Sequence, residues 1–208
     1  MIKIENTEVY GFSPAIRGAR NPFNSWDKSD SHTGSKGYTI GPRDMNLIKT
    51  LVNAGDDHGK CARFITVTVD ITAPLYWWKE FDTYKVGTVA DSCSTMHKVH
   101  AKEFTIDDFS TEHLMPESTA VLDYTIGMLN KYRELYLPSK NKNYWWQMIQ
   151  LLPSSYNQLR TIQMNYQVLR RMYKARKNHK LDEWLAFCDW VKTLPYADPI
   201  IYEPEETT

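Results

Sequence analysis

Three groups of side chains in this sequence have types and spacing that could do chemistry. The first is Cys93, His97 and His100, a C-x-x-x-H-x-x-H arrangement. Thiolate and imidazole are zinc ligands, and three of them within one short stretch could hold an ion. A structural zinc site closes with four ligands. No fourth is apparent, and the spacing matches no common structural zinc pattern. The expectation is therefore polar loop residues and no metal, and the same plain reading covers His58, His113 and His179. The second group is a nucleophile candidate: Cys93 stands between Ser92 and Ser94, with His97 four positions on. A base must meet its nucleophile in space, which sequence proximity does not secure. No G-x-S-x-G elbow occurs. The third group is cationic. Arg170, Arg171, Lys174, Arg176 and Lys177 form a run that is either a solvated helix end complementing the C-terminal dipole or a source of arginines for a phosphate. Further upstream, Arg17, Arg20, Asn21, Asn24, Ser25 and Asp27 could serve an anionic ligand or simply form a solvated loop. Neither G-x-G-x-x-G nor the Walker A lysine pattern occurs, which argues against a Rossmann-type dinucleotide fold.

These residues need elements to position them. Residues 1–11 read as a short strand and turn. Residues 12–42 are rich in Gly, Ser, Asn, Asp and Pro and read as a long irregular segment. Met45, Ile48, Leu51 and Val52 share one helical face, and Gly55 is placed to stop that helix. From Phe64 to Asp70 the sequence alternates, with Ile65, Val67 and Val69 on one side and threonines on the other, as in a half-buried strand. Pro74 suits the first turn of a helix running through Trp77, Trp78 and Phe81 towards Tyr84, broken by Gly87. A Ser/Thr-rich stretch covers 88–96. Helices are expected over 117–137, 143–152, 155–176 and 181–194, and an acidic, Pro-containing tail follows.

Composition bounds the answer. The chain has 208 residues, 42% hydrophobic and 24% charged, which suits one globular domain rather than disorder. Lys plus Arg and Asp plus Glu are both 25, so no global field draws the protein to nucleic acid or membrane, and an anion site must be local. The opening residues hold no apolar run and no stretch of 18 apolar residues occurs, so neither a leader nor a membrane span is expected. Cys61, Cys93 and Cys188 are odd in number and widely spaced, which fits a reducing cytoplasm better than a disulfide framework. With 7 Trp, 13 Tyr and 7 Phe, large rings either fill the core or line a planar ligand; Trp77-Trp78 and Trp145-Trp146 are also candidates for subunit contacts.

Two blocks carry a resemblance. The first is Thr83-Tyr84-Lys85-Val86-Gly87-Thr88-Val89-Ala90-Asp91-Ser92-Cys93-Ser94, just after the strand and the aromatic helix. The second opens with Leu152-Pro153-Ser154-Ser155-Tyr156, continues through Asn165, Leu169 and Arg176, and ends at Leu181-Asp182-Glu183-Trp184. Their order and separation resemble the flavin-dependent thymidylate synthases, whose signature is R-H-R-x-x-S-x-N-E-x-S-x-R. Thr83 and Tyr84 take the places of the first arginine and the histidine, Lys85 that of the second arginine, and Thr88 that of the serine. Asp91 stands at the acidic position. Cys93 falls on the second serine, with Ser94 equally placed if one residue is inserted. The final arginine falls on Thr95 or Met96. The likeness covers residues 43–193, between a segment 1–42 and a tail 194–208, within a single domain.

The resemblance implies an α+β fold, mainly helical, with a small antiparallel sheet packed on long helices. It implies FAD as cofactor, NADPH and methylenetetrahydrofolate as co-substrates, dUMP or a related pyrimidine nucleotide as methyl acceptor, and a homotetramer. Carried over residue by residue, Lys85, Thr88 and Asn165 would hold the cofactor, and Asp91, Ser94, Arg160 and Arg176 the substrate. Tyr84 or Trp78 could stack on a ring. No catalytic residue is assigned. Two other readings stand beside this one. One is a nucleotide- or flavin-binding or protein-interaction protein that keeps the fold without turnover. The other is an unrelated helical interaction protein, which would lack the strand at residues 64–70.

Overall fold

The computed structural model describes residues 2–35 and 37–202. In chain order the elements are β1 (Lys3–Tyr10), α1 (Phe12–Arg20), β2 (His32–Gly34), β3 (Gly37–Thr39), α2 (Pro42–Asn53), β4 (Thr66–Pro74) and α3 (Leu75–Phe81). They continue with β5 (Val89–Ser92), α4 (Pro116–Ser139), α5 (Lys142–Leu151), β6 (Asn157–Asn165), α6 (Tyr166–Arg176) and α7 (Asp182–Lys192). One sheet has the strand order β1-β4-β6-β5, and β2 and β3 form a separate antiparallel hairpin. β4 and β6 are antiparallel neighbours: Tyr166 N–H donates to Ile65 O at 2.9 Å, and Leu75 N–H to Tyr156 O at 3.0 Å. The architecture is α+β with helix predominant. Among the described residues, no helix is long and apolar enough to cross a membrane.

Contacts divide the chain into two compact units. One comprises Met1–Lys3, Ile71–Thr83 and Asp91–Thr161; the other comprises Ile4–Asp70, Tyr84–Ala90 and Ile162–Thr208. In the first, α4 and α5 form a helical hairpin whose turn is made by Lys140 in the left-handed region and by Asn141, whose side chain caps Asn143 N–H. Leu122, Ile126 and Leu129 of α4 recur at helical spacing and are buried with Phe104, Phe109 and Met148. Trp77, Trp78 and Phe81 of α3 are also buried, with Trp77 and Trp78 rings 4.8 Å apart. The Trp77-Trp78 pair is therefore core, which corrects its candidacy for a subunit contact. Trp146 is 41% exposed and Trp145 only partly buried.

In the second unit, Ile48 and Val52 of α2, Leu169 and Met172 of α6, and Trp184, Phe187 and Val191 of α7 are buried. The strand expected at 64–70 is present as β4, with Val67, Val69, Ile71 and Ala73 buried and the alternate residues half-exposed. It runs four residues further than its alternation suggested.

Two expectations fail. Residues 12–42 are not irregular throughout, because α1 occupies the start of that span. Gly11, at φ +96°, lets the chain approach Phe64 so closely that a Cβ would lie 1.8 Å from its carbonyl oxygen. Ala15, Ile16 and Ala19 then form a narrow buried stripe. The rest of the segment is gathered by Asp44, which is fully buried. Asp44 Oδ1 accepts from Arg20 Nε at 2.7 Å, and Oδ2 accepts from Ser29 Oγ and Ser31 Oγ, each at 2.6 Å, and from the backbone N–H of Ser31 at 3.1 Å. Burial raises the Asp44 carboxyl, but the bonds from Ser29, Ser31 and Arg20 outweigh it and hold the group below its ordinary range. The second failure is the helix over 155–176, which is β6 followed by α6. Gln158, Ile162 and Met164 are buried, and Asn165 turns the strand into the helix by accepting from Val168 N–H at 3.0 Å. The expected tail begins inside described structure, with a single turn at Ala197–Ile200, and its residues 203–208 lie outside the described residues.

Candidate functional site

The signature-like residues fall into two sets, one in each unit. In the second unit a tight turn follows α3. Thr88 N–H donates to Lys85 O at 3.3 Å, and Thr88 Oγ1 donates to Tyr84 O at 2.9 Å. Gly87 sits in this turn at φ +84°, and a Cβ there would meet Val168 Cγ2 at 2.9 Å and Asn165 Nδ2 at 3.3 Å. Only glycine lets the turn lie directly on the start of α6. Lys85, Thr88 and Asn165 are therefore neighbours, with Lys85 exposed and the other two half-buried.

Arg176 joins this set through Tyr84. Its Nε donates to Tyr84 Oη at 2.9 Å. Its guanidinium carbon lies 4.6 Å from the Trp184 ring centre and 5.6 Å from the Tyr84 ring centre. The Tyr84 and Trp184 rings meet edge to face at 6.1 Å. Trp184 is fully buried, so its ring is a fixed wall, and Arg176, the last residue of α6, is half-buried against it. A guanidinium on an aromatic face, with its planar fork pre-set, is suited to a phosphate or carboxylate. Elsewhere in the basic run, Arg170 donates to Ile200 O at 3.2 Å and to Asn53 Oδ1 at 2.7 Å, which ties α6 to its surroundings.

The other set lies in the first unit. Arg160 Nη1 pairs with Asp82 Oδ1 at 2.8 Å, its Nε donates to Gln158 Oε1 at 3.0 Å, and its guanidinium carbon lies 4.3 Å from the Trp78 ring centre. Gln158 Nε2 donates to Cys93 O at 2.6 Å, and Cys93 N–H to Leu159 O at 3.0 Å, which anchors the end of β5. Ser94 Oγ accepts from His97 N–H at 2.8 Å and from Met96 N–H at 3.3 Å, so it closes a local turn. Asp91 is exposed on β5. Both rings thought able to stack on a ligand carry an arginine instead: Arg160 on Trp78 and Arg176 on Tyr84.

His97 and Cys93 are exposed, His100 packs edge to face on Tyr136 at 4.8 Å, and among the described residues no three His, Cys, Asp or Glu side chains are grouped to hold a metal. Burial pushes the Cys61 thiol up and the Cys188 thiol up to about 11, which removes both as nucleophiles at neutral pH. Trp184 and Asp44 were not singled out by the sequence, and Arg20, offered there for an anionic ligand, is instead bonded to the buried Asp44. The only signal for Trp184 is its place in the block after Leu181.

The architecture has known counterparts. Thymidylate synthase X from Helicobacter pylori, crystallised with FAD and dUMP, superposes with a TM-score of 0.71 over 98% of this chain and 98% of that chain, at 16% identity. A second crystal structure of the H. pylori flavin-dependent enzyme, also complexed with FAD and dUMP, gives a TM-score of 0.70 over 97% of this chain and 100% of that one, again at 16% identity. This chain has the thymidylate synthase X fold. The UMP/dUMP methylase PolB from Streptomyces cacaoi, bound with 5-Br dUMP, shares it with a TM-score of 0.61 over 92% of this chain and 91% of that chain, at 13% identity. The sequence matches no family model and no curated protein. At these identities the likeness is one of fold, and it spans nearly the whole of the H. pylori chains.

Proposed function

We propose that the chain binds a pyrimidine nucleoside monophosphate, dUMP or a close relative, together with FAD, and methylates the base in the manner of a flavin-dependent thymidylate synthase. The observation that carries this reading is the thymidylate synthase X fold, in which the Lys85–Thr88 turn lies on the start of α6 at Asn165 while Tyr84 bonds Arg176 at the end of that helix. The residues present fit a flavin nucleotide at that turn. Gly87 packs the turn directly on Val168 and Asn165 at the start of α6, and Lys85 in the same turn is exposed. Lys85, Thr88 and Asn165 hold the cofactor in this reading. Arg176 binds the nucleotide phosphate in this reading, while Asp91, Ser94 and Arg160, which the resemblance also implies for the substrate, belong to the other unit. Bound flavin supplies the redox chemistry, with NADPH as reductant and methylenetetrahydrofolate as carbon donor; the protein supplies binding and orientation. The active form is a homotetramer in the cytoplasm. Exposed Val121 and Tyr124 on α4, at 66% and 73%, provide apolar surface for a subunit contact.

A second reading is favoured by one specific observation. Thr83 and Tyr84 bring no positive charge where the signature has an arginine and a histidine, and Arg160 is ion-paired with Asp82. A chain so depleted fits a nucleotide-binding protein without turnover. The deciding experiment is the visible spectrum of the purified protein, before and after addition of FAD and desalting, followed by a dUMP-dependent flavin oxidation assay. Retained flavin peaks and dUMP-dependent oxidation support the enzyme. Nucleotide binding without retained flavin selects the binding protein.

A further inference from the structure

We propose that a cleft at the start of α1 is a second ligand site, built for a flat, uncharged heterocycle that carries hydrogen-bond acceptors. The cleft lies wholly within the second unit and has a volume of about 730 Å³, in the range of small-molecule pockets. None of the residues given above to FAD or to the nucleotide lines it. The site therefore stands or falls independently of the proposed function.

Four rings wall the cleft: Tyr10 at the end of β1, Phe12 at the start of α1, Tyr38 on β3 and Tyr196 beyond α7. Three of them are set before any ligand arrives. Tyr196 has φ +55°, in the left-handed region that a bulky side chain rarely adopts. Such a backbone persists where its surroundings over-determine it. Here the Tyr196 hydroxyl accepts from Ile40 N–H at 3.2 Å, and its ring meets Phe12 edge to face at 5.3 Å. The buried Tyr166 donates to the neighbouring Pro195 carbonyl and meets Phe12 edge to face at 6.0 Å. Tyr38 is held opposite Thr33 in the β2–β3 hairpin. Tyr10 is 56% exposed and its hydroxyl donates to Glu8 at 2.8 Å.

The lining selects the ligand. Among the described residues no charged side chain lines the cleft. A phosphate, a carboxylate or an ammonium group would lose hydration there and gain no ion pair. The lining also holds no amide or carboxylate to take the paired hydroxyls of a sugar. It offers ring faces and hydroxyls. The Tyr196 hydroxyl already accepts a bond, so among the described residues its proton is the part left to give, and Ser13 and Thr33 add two further hydroxyls. A heterocycle stacks on the rings through its faces and accepts from the hydroxyls through ring nitrogens or carbonyl oxygens.

Calorimetry tests this with two uncharged probes, caffeine and adenosine. FAD and dUMP are present in excess, so that the nucleotide site is occupied. Saturable binding of at least one probe is expected. Tyr10→Ala is expected to weaken it about tenfold, the loss of one stacking face, at an unchanged urea midpoint. Tyr196→Phe keeps the ring, removes the donor and is expected to weaken it about fivefold. Arg176→Ala leaves probe binding as in the wild type. Absence of binding by both probes overturns the proposal, as does binding that Tyr10→Ala and Tyr196→Phe leave unchanged. Tighter binding of AMP than of adenosine also overturns it, because the ligand would then be recognised through a charge. A proline-rich peptide bound where neither heterocycle binds would make the cleft a peptide groove and overturn it equally.

Discussion

Two arginines in the same unit are held in opposite ways. Arg20 is 7% exposed and faces a carboxylate that is fully buried, and further donors from Ser29 and Ser31 complete the cluster. Arg176 is half-buried, lies across a tryptophan and bonds a phenol through Nε. The first arrangement gathers a polar segment of chain onto a helix. The second lays a half-buried guanidinium across an aromatic face. A cation drawn into a saturated carboxylate cluster stabilises the fold, whereas one laid on aromatic faces near solvent is suited to a ligand.

The comparison is broken or sharpened by substitution. The largest effect is expected for Asp44→Asn, which leaves Arg20 buried beside a neutral group. Loss of about 3–5 kcal/mol of stability is expected, read as a lower urea midpoint with an unchanged slope. A stable Asp44→Asn protein would show the cluster to be incidental. Next, Arg176→Ala is expected to weaken dUMP binding by about 1.5–3 kcal/mol, read by calorimetry, and to shift the urea midpoint far less than Asp44→Asn does. Arg176→Lys is expected to recover only part of this, because an ammonium has no fork. Ser29→Ala removes one bond to a charged acceptor and is expected to cost about 1.5 kcal/mol of stability without altering dUMP affinity.

The smallest effect is in pH dependence. The folded-state pKa of Asp44 is depressed, so its stabilisation is present above the ordinary aspartate value of about 3.9 and is lost as pH falls through the folded value. The stability difference between wild type and Asp44→Asn should therefore shrink on acidification below about pH 4. A gap that stays constant would assign the stabilisation to shape rather than charge.

Much of the fold is legible in the sequence where one period dominates. Leu122, Ile126 and Leu129 announce α4, and Val67 and Val69 announce β4. β6 was hidden because Ile162 and Tyr166 suit a helical repeat, while Ile162, Met164 and Tyr166 suit a strand equally well. Pairing with β4 decides between them, and pairing is not local. α1 was hidden because its buried stripe is only Ala15, Ile16 and Ala19, interrupted by arginines. The polar segment after it reads as solvated loop because its order comes from Asp44, outside the segment and within the helix that follows. At the candidate site, the resemblance pointed to Lys85, Thr88, Asn165 and Arg176; the structure sets the Lys85–Thr88 turn on the start of α6 at Asn165, and Arg176, at the other end of that helix, bonds Tyr84. The stacking of Arg176 on Trp184 joins residues eight positions apart and its bond to Tyr84 residues 92 apart, and neither leaves a periodic trace.

The central claim is that this fold binds a nucleotide phosphate through Arg176. Calorimetric titration of dUMP into the wild type and into Arg176→Ala tests it most directly. Saturable binding by the wild type, weakened at least about tenfold in the variant, is the predicted result. No binding by the wild type, or equal binding by both proteins, would contradict it.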